Sequence, residues 1–328
     1  MSALVRPGRR PSGPANAITD VGGVSVGHFE LPVEGLHTGL TAVLPYPAGT
    51  ALRRVFAGRW ALDRGGSMTG EQATEDFGTL SSPIVLASDA AVGVVYEELI
   101  TLALRRDSGL STSGGWPPVV LGLDDALWNA PATVYAAVQR DHVQAALGRA
   151  AAGAVGQGSV GIGLGLCAFG LAGGVGTASR RVGSGEVVGV LVAANGGQPG
   201  ALRVGGAPLG DWLAAELQPG AAPLPRSFAA VLATDAPLSP LQLDHLCERA
   251  ALGLARIGLL GPDEAVDRVA TAGDELLLDL ASAAAEAAEE AVLNALLAAG
   301  PALERTPRLT NLEGTGWRAQ VERWQQAR

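Results

Sequence analysis

The chain of 328 residues contains no lysine: all 23 of its basic side chains are arginine. A lysine Schiff base, a lysine general base and the lysine of a phosphate-binding loop are therefore excluded. Cysteine is almost as scarce. Cys167 and Cys247 each sit in a largely apolar stretch and neither belongs to a C-x-x-C pair, which reads as reduced core thiols and not as a disulfide framework. His28, His37, His142 and His245 are the only histidines, and they show no metal-ligand spacing. No metal or other cofactor is expected. Positive charge is outweighed, with a formal net charge of -9. That argues against a nucleic-acid partner, which needs basic patches to displace counterions. Long, charge-free, strongly apolar runs are missing, so no membrane partner is expected. The opening segment MSALVRPGRRPSGPANAITD has charge and proline but no apolar signal core. A cytoplasmic location is the expectation.

Small apolar residues take the place of what is missing. Hydrophobic residues make up 48% of the chain and glycine 46 positions, enough for a sizeable core in which backbones approach closely. Residues 1–16 read as a flexible arm. Short β-type runs follow at Val24–His28, Leu40–Leu44 and Ile84–Ala87. A helix is expected over Ala90–Arg106, with Val94, Val95, Leu99, Leu102 and Leu104 partly on one stripe. Ser108–Pro118 reads as a loop and Asp141–Ala152 as a helix. Gly156–Arg181 is glycine-dense. Glu186–Ala194 reads as a strand, Gly196–Gly206 as turns and Asp211–Leu217 as a short helix. A strand is expected over Phe228–Thr234 and helices over Pro240–Ile257 and Ala281–Ala299, with a further strand at Val266–Thr271. Strands and helices in both halves point to an α/β layered architecture.

The segment QPGAAPLPRSFAAVLATDAPLSP carries the most information. A proline-rich linker, Pro219–Pro225, runs into Arg226-Ser227, and an apolar strand starts at once. A serine hydroxyl is a weak nucleophile until a base takes its proton. If Ser227 were the first residue of a chain, its own α-amino group, with a pKa of roughly 7.7–8.0, could be that base. By residue pattern alone, a serine that merely opens a strand is the better account, because serine is common at strand ends. Asn195 likewise stands either as a turn-forming residue before Gly196-Gly197 or as an amide donor. The fragments GIGLG and GGVGTAS hint at phosphate-binding loops, but a full G-x-G-x-x-G between strand and helix is missing. Glycines that let strands approach closely are the better account.

Several blocks together resemble the L-aminopeptidase/D-esterase (DmpA-type β-aminopeptidase) family. PRSFAAVLATDAPLSPLQLDHLCERAALGLARIG is similar to the strand, turn and helix that open that family's β-subunit. NAITDVGGVSVGHFE, HTGLTAVLP, GSVGIGLGLCAFGLAGGVGTASR, VGVLVAANGG and EEAVLNALLAA resemble its other blocks in order, from about Asn16 to Ala299. The resemblance implies an αββα sandwich of the DmpA/ornithine-acetyltransferase type. It implies self-cleavage between Arg226 and Ser227 within one domain, 17–328, giving an α-subunit 17–226 and a β-subunit 227–328. It implies release of N-terminal residues from small peptide, amide or ester substrates, without a cofactor, by a homo-oligomer built as a tetramer of heterodimers. Carried over by position, Ser227 falls on the nucleophile and Asn195 on an asparagine that stabilises the oxyanion. Glu264 falls on an acidic residue that supports the nucleophile, with Asp263 as the alternative.

The departures are specific. Arg226 stands where the family commonly has glycine, Asp124 where a tyrosine hydroxyl contributes near the oxyanion and where a carboxylate would repel it unless protonated or displaced, Ala172 in place of a lysine, and Pro262 near a supporting serine. They motivate a second reading, a catalytically degenerate, uncleaved member acting as a binding or structural oligomer. A third is an acyltransferase like ornithine acetyltransferase, which shares the related fold but normally uses threonine.

Overall fold

The computed structural model describes residues 10–47, 54–61, 67–110, 117–182, 185–203, 209–212 and 227–259. Strands β1 (Ser25–Glu30) and β2 (Gly39–Leu44) form an antiparallel pair, with Gly27 opposite Ala42. A small hairpin, β3 (Val55–Phe56) and β4 (Thr79–Leu80), flanks helix α1 (Glu71–Phe77). Strand β5 (Ile84–Ser88) joins β2, and after helix α2 (Val92–Arg106) strand β6 (Val119–Leu123) lies parallel to β5. A parallel pair needs a long crossover, and α2 supplies it. The first sheet has the order β1-β2-β5-β6. Helices α3 (Pro131–Ala137) and α4 (Arg140–Gly148) follow.

Strands β7 (Cys167–Ala168) and β8 (Leu171–Ala172) make a short hairpin. Then β9 (Gly174–Arg181), β10 (Val187–Ala194) and, after helix α5 (Leu209–Trp212), β11 (Ala229–Thr234) build a second, antiparallel sheet of order β11-β10-β9. Helix α6 (Pro240–Ile257) closes the described part.

Burial explains the layering. Val26, Val43, Leu86 and Leu123 of the first sheet meet Val175, Leu191, Ala193 and Val231 of the second, with Ile162 and Leu166 between them. The other face of the first sheet, Leu40, Ala42, Val85 and Val120, packs under Val95 and Leu99 of α2 and Val143 and Ala146 of α4. A sheet covered on both faces reads as continuous apolar runs, as in TAVL and IVLA. The fold is the expected αββα sandwich of α/β class. No described helix is long and apolar enough to cross a membrane.

Several expected boundaries shift. The helix expected over Asp141–Ala152 ends at Gly148, and α3 before it is an element that the sequence did not announce. Residues Asp89–Ala91 form a 3-10 turn ahead of α2, and Leu104 is exposed while Glu98 is buried. The glycine-dense block contains β9, whose sequence GVGTASRR has too few β-branched residues to read as a strand. The short helix expected from Asp211 begins at Leu209 and is described to Trp212. Elements expected beyond residue 259, and the linker Pro219–Pro225, lie outside the described residues. Cys167 is buried and Cys247 half-buried beside the Gly58 carbonyl, where burial pushes its thiol up to about 11.

Close approach is decisive at Gly27. A Cβ there would collide with the Ala146 carbonyl oxygen and lie 2.7 Å from the Ala150 amide nitrogen, so α4 can rest on β1 only over a glycine. Gly27→Ala is expected to destabilise the fold by about 1–3 kcal/mol, as overpacking does. Urea unfolding read by circular dichroism should show a lower midpoint with an unchanged slope.

Candidate active site

Three strand ends meet at one end of the sandwich. β6 ends at Leu123, β10 at Ala194, and β11 begins at Ala229. In the antiparallel pairing of β10 and β11, Ala193 faces Ala229. Two residues further along that register, Asn195 stands opposite Ser227. Strand pairing therefore brings together two residues far apart in sequence.

Contacts confirm the juxtaposition. Asn195 Nδ2 donates to Ser227 Oγ at 3.0 Å and to the Asp124 carbonyl at 2.7 Å. Its Oδ1 accepts from the Cys167 amide at 2.9 Å. The amide orientation is unambiguous, because flipping it would set oxygen against the Asp124 carbonyl. The side chain is fully buried, at 0% exposure, and each of its polar atoms is engaged. The turn that follows needs left-handed backbone at Gly196 and Gly197, with φ of 104° and 78°. β7 runs alongside, the Gly196 amide donating to the Cys167 carbonyl at 2.7 Å.

A second donor reaches the same hydroxyl. The backbone amide of Asp124 points at Ser227 Oγ, 2.7 Å away. Half-buried Ser227 thus receives two N–H donors from different strands. The carboxylate of Asp124 turns away and accepts from the Ala126 amide at 2.9 Å, forming a local Asx-type turn. The expected repulsion between Asp124 and a developing oxyanion is avoided by this rotation. Asp124→Asn keeps the turn and the backbone donor, so it is expected to change kcat/KM by less than about threefold, whereas a side-chain role in chemistry would cost about a hundredfold or more. Steady-state assay of the purified variant separates the two.

The loop carrying Asp124 is braced from below. Buried Asp125 accepts from Ser88 Oγ at 2.7 Å and from Asn129 Nδ2 at 3.1 Å. Burial pushes its carboxyl above the usual range even though Ser88 and Asn129 bond to it. Asn129 also ties the loop to His37 through both backbone groups, at 2.8 Å each. Sequence reasoning missed Ser88, Asp125 and Asn129. The signal available was the acidic pair Asp124-Asp125 directly after an apolar strand, with Asn129 four residues beyond Asp125. Of the expected site residues, Ser227 and Asn195 come together. Arg226, Asp263 and Glu264 lie outside the described residues, as does Pro262. Ala172 is exposed on β8. Among the described residues no group of three or more His, Cys, Asp or Glu side chains could hold a metal ion.

Two amide donors converging on a hydroxyl suit acyl transfer through a serine. Comparison with known proteins identifies a peptidase family. The profile of "Peptidase family S58" matches residues 16–308. Beta-peptidyl aminopeptidase BapA of Sphingosinicella microcystinivorans is 36% identical over 334 aligned residues, covering 88% of this chain and 82% of that protein. Among solved structures, a Burkholderia sp. beta-aminopeptidase superposes with a TM-score of 0.70 at 35% identity, covering 94% of this chain and 93% of that one. The L-aminopeptidase D-Ala-esterase/amidase of Ochrobactrum anthropi, described as a prototype of the serine aminopeptidases with a variant of the Ntn hydrolase fold, gives a TM-score of 0.67 at 32% identity, covering 90% of this chain and 89% of that one.

Proposed function

The chain belongs to peptidase family S58, and from that premise we propose that it is an aminopeptidase that cleaves itself between Arg226 and Ser227 and then works through Ser227 as an N-terminal nucleophile. The observation that carries the reading is the pair of N–H donors, from Asp124 and Asn195, at Ser227 Oγ. In the first stage Oγ attacks the Arg226 carbonyl carbon, the peptide C–N bond breaks, and an ester replaces it. Water hydrolyses that ester, leaving a carboxylate on Arg226 and a free α-amine on Ser227. The amine, with a pKa of roughly 7.7–8.0, then takes the Oγ proton at neutral pH.

In the second stage Oγ attacks the carbonyl carbon of a substrate's first residue. Negative charge moves to the carbonyl oxygen, one bond from the attacked carbon and therefore close to Oγ. A modest rotation about the Ser227 side-chain bond would pass both donors from Oγ to that oxygen, the seat where charge develops. The amine leaves with the proton, and water releases the acyl group. Glu264, or its neighbour Asp263, would steady the Ser227 ammonium. The substrates are small peptides, amides or esters with a free N-terminal residue, β-amino acids among them, as the names of the relatives suggest. Homo-oligomeric assembly and a cytoplasmic setting complete the reading.

Intact-mass measurement of the purified protein tests the first stage. Two fragments meeting at 226/227 support it, and a single chain of 33.1 kDa after prolonged incubation would sink it. The degenerate reading rested partly on Asp124 replacing a tyrosine. It loses force because Asp124 offers a backbone donor and holds its carboxylate aside. An acetyl-transfer assay separates the acyltransferase reading.

A further inference from the structure

We propose that Asp89 determines specificity at the Ser227 site by holding the free ammonium of the substrate's first residue. The inference rests on the aminopeptidase reading and names the residue that enforces the free N-terminus. A hydrolase acting only on terminal residues must recognise the terminal amine, and a carboxylate close to the nucleophile is the matching group.

Position comes from strand register. In the parallel pair of β5 and β6, Ala87 lies beside Gly122 and Ser88 beside Leu123. One residue further, Asp89 falls beside Asp124, about 5 Å away at ordinary strand spacing. Asp124 is the residue whose amide touches Ser227 Oγ. Asp89 therefore stands one strand from the nucleophile's own neighbour, on the side away from Asn195's strand.

Its carboxylate is built into place. A Cβ at Gly122 would collide with Asp89 Oδ1 and lie 2.6 Å from Ser67 Cβ. Only glycine at 122 lets the Asp89 carboxylate lie across β6. The Ser67 hydroxyl bonds to it. Among the described residues, the four ion pairs use other acids, and no arginine pairs with Asp89. The residue still reaches solvent. Crowding by its neighbours and the charge of Asp124 both push its carboxyl above the usual range. An anion held beside a second anion, with no cation paired to it among the described residues, is the environment that an incoming ammonium relieves. The Asp124 carboxylate is committed to the Ala126 amide, which leaves Asp89 to make the contact.

The test compares β-alanyl p-nitroanilide with propionyl p-nitroanilide, which has the same acyl chain without the amine. Asp89→Asn in the full chain is expected to lower kcat/KM on the amine-bearing substrate by roughly 10- to 100-fold, mainly through KM. Turnover of the propionyl compound, already slow in the parent because it lacks the amine, should stay within twofold of the parent's low rate, and Asp89→Glu should recover part of the loss. Equal losses on both substrates, or no loss on either, overturn the assignment. If the parent hydrolyses neither compound, the failure belongs to the hydrolase reading, and calorimetric titration with β-alaninamide decides the ammonium site. Binding by the parent that Asp89→Asn weakens at least tenfold supports it. No binding by the parent, or equal binding by both, overturns it.

Discussion

Ser227→Ala is expected to remain a single uncut chain of 33.1 kDa and to lose hydrolysis by at least about four orders of magnitude. Both losses come from one atom. In the proposed mechanism Oγ is the attacking group in self-cleavage and the atom that later carries the acyl group. No lysine exists anywhere in the chain to substitute as a nucleophile. The variant also leaves two donors, Asp124 N–H and Asn195 Nδ2, without their shared acceptor. At a half-buried position that costs about 1–3 kcal/mol at most, so the fold should survive. Circular dichroism and thermal melting of the variant separate lost chemistry from lost structure. Ser227→Thr keeps a hydroxyl in place and should retain measurable cleavage. If Ser227→Ala is still cut at 226/227, another agent makes the cut and the self-processing mechanism fails.

Legibility in the sequence varied with how local the determining physics is. Helix α6 was readable to the residue because its signals are adjacent. Ser239 caps it, accepting from the Gln242 amide, Pro240 occupies the first turn, and Gly258 ends it in the left-handed conformation. β10 was readable because VVGVLVAA is rich in β-branched and apolar residues, and in the fold its alternate residues Val187, Leu191 and Ala193 face the core. β9 was not, because Val175 and Thr177 are its only β-branched residues among glycine, alanine, serine and arginine, and only its pairing with β10 makes it a strand. The site shows the same division. Ser227 is singled out by the resemblance of its strand, turn and helix to a known family, but its partners come from register, which a single sequence does not display. Asp124 is the clearest case. Its side chain suggested conflict with an oxyanion, yet its contribution is a backbone amide that nearly any residue would bring. What matters there is where the end of β6 places the chain.

That observation changes the weight of the substitutions. A tyrosine hydroxyl at position 124 would donate from a side chain, while this chain donates from the backbone of the same position. The bracing of Asp125 by Ser88 and Asn129 then becomes part of the site, since it fixes the angle of that amide. A backbone donor costs no side-chain entropy on ordering. It cannot follow the charge as a flexible hydroxyl would, so the other donor, Asn195, must carry more of the alignment.

Asn195 is therefore the position where a small chemical change should have the second-largest effect. Asn195→Asp preserves shape and the acceptor for the Cys167 amide, but replaces the donor facing Ser227 Oγ and the Asp124 carbonyl with an oxygen. Losing one oxyanion donor costs about 10²–10³ in kcat. The same fall should appear in kcat/KM, with KM nearly unchanged, because the interaction strengthens only as charge develops. Asn195→Asp also loses some stability, because its new oxygen, fully buried, faces the Asp124 carbonyl. Asn195→Ala should match the loss of rate with a structural loss of its own. It strands the Cys167 amide and the Asp124 carbonyl at a fully buried position, at about 1–3 kcal/mol for each unsatisfied group. Chemical denaturation beside steady-state kinetics reads both. A kcat for Asn195→Asp within a few-fold of the parent would mean that the Asp124 amide alone holds the oxyanion, and that Asn195 serves only to join β7, β10 and the end of β6.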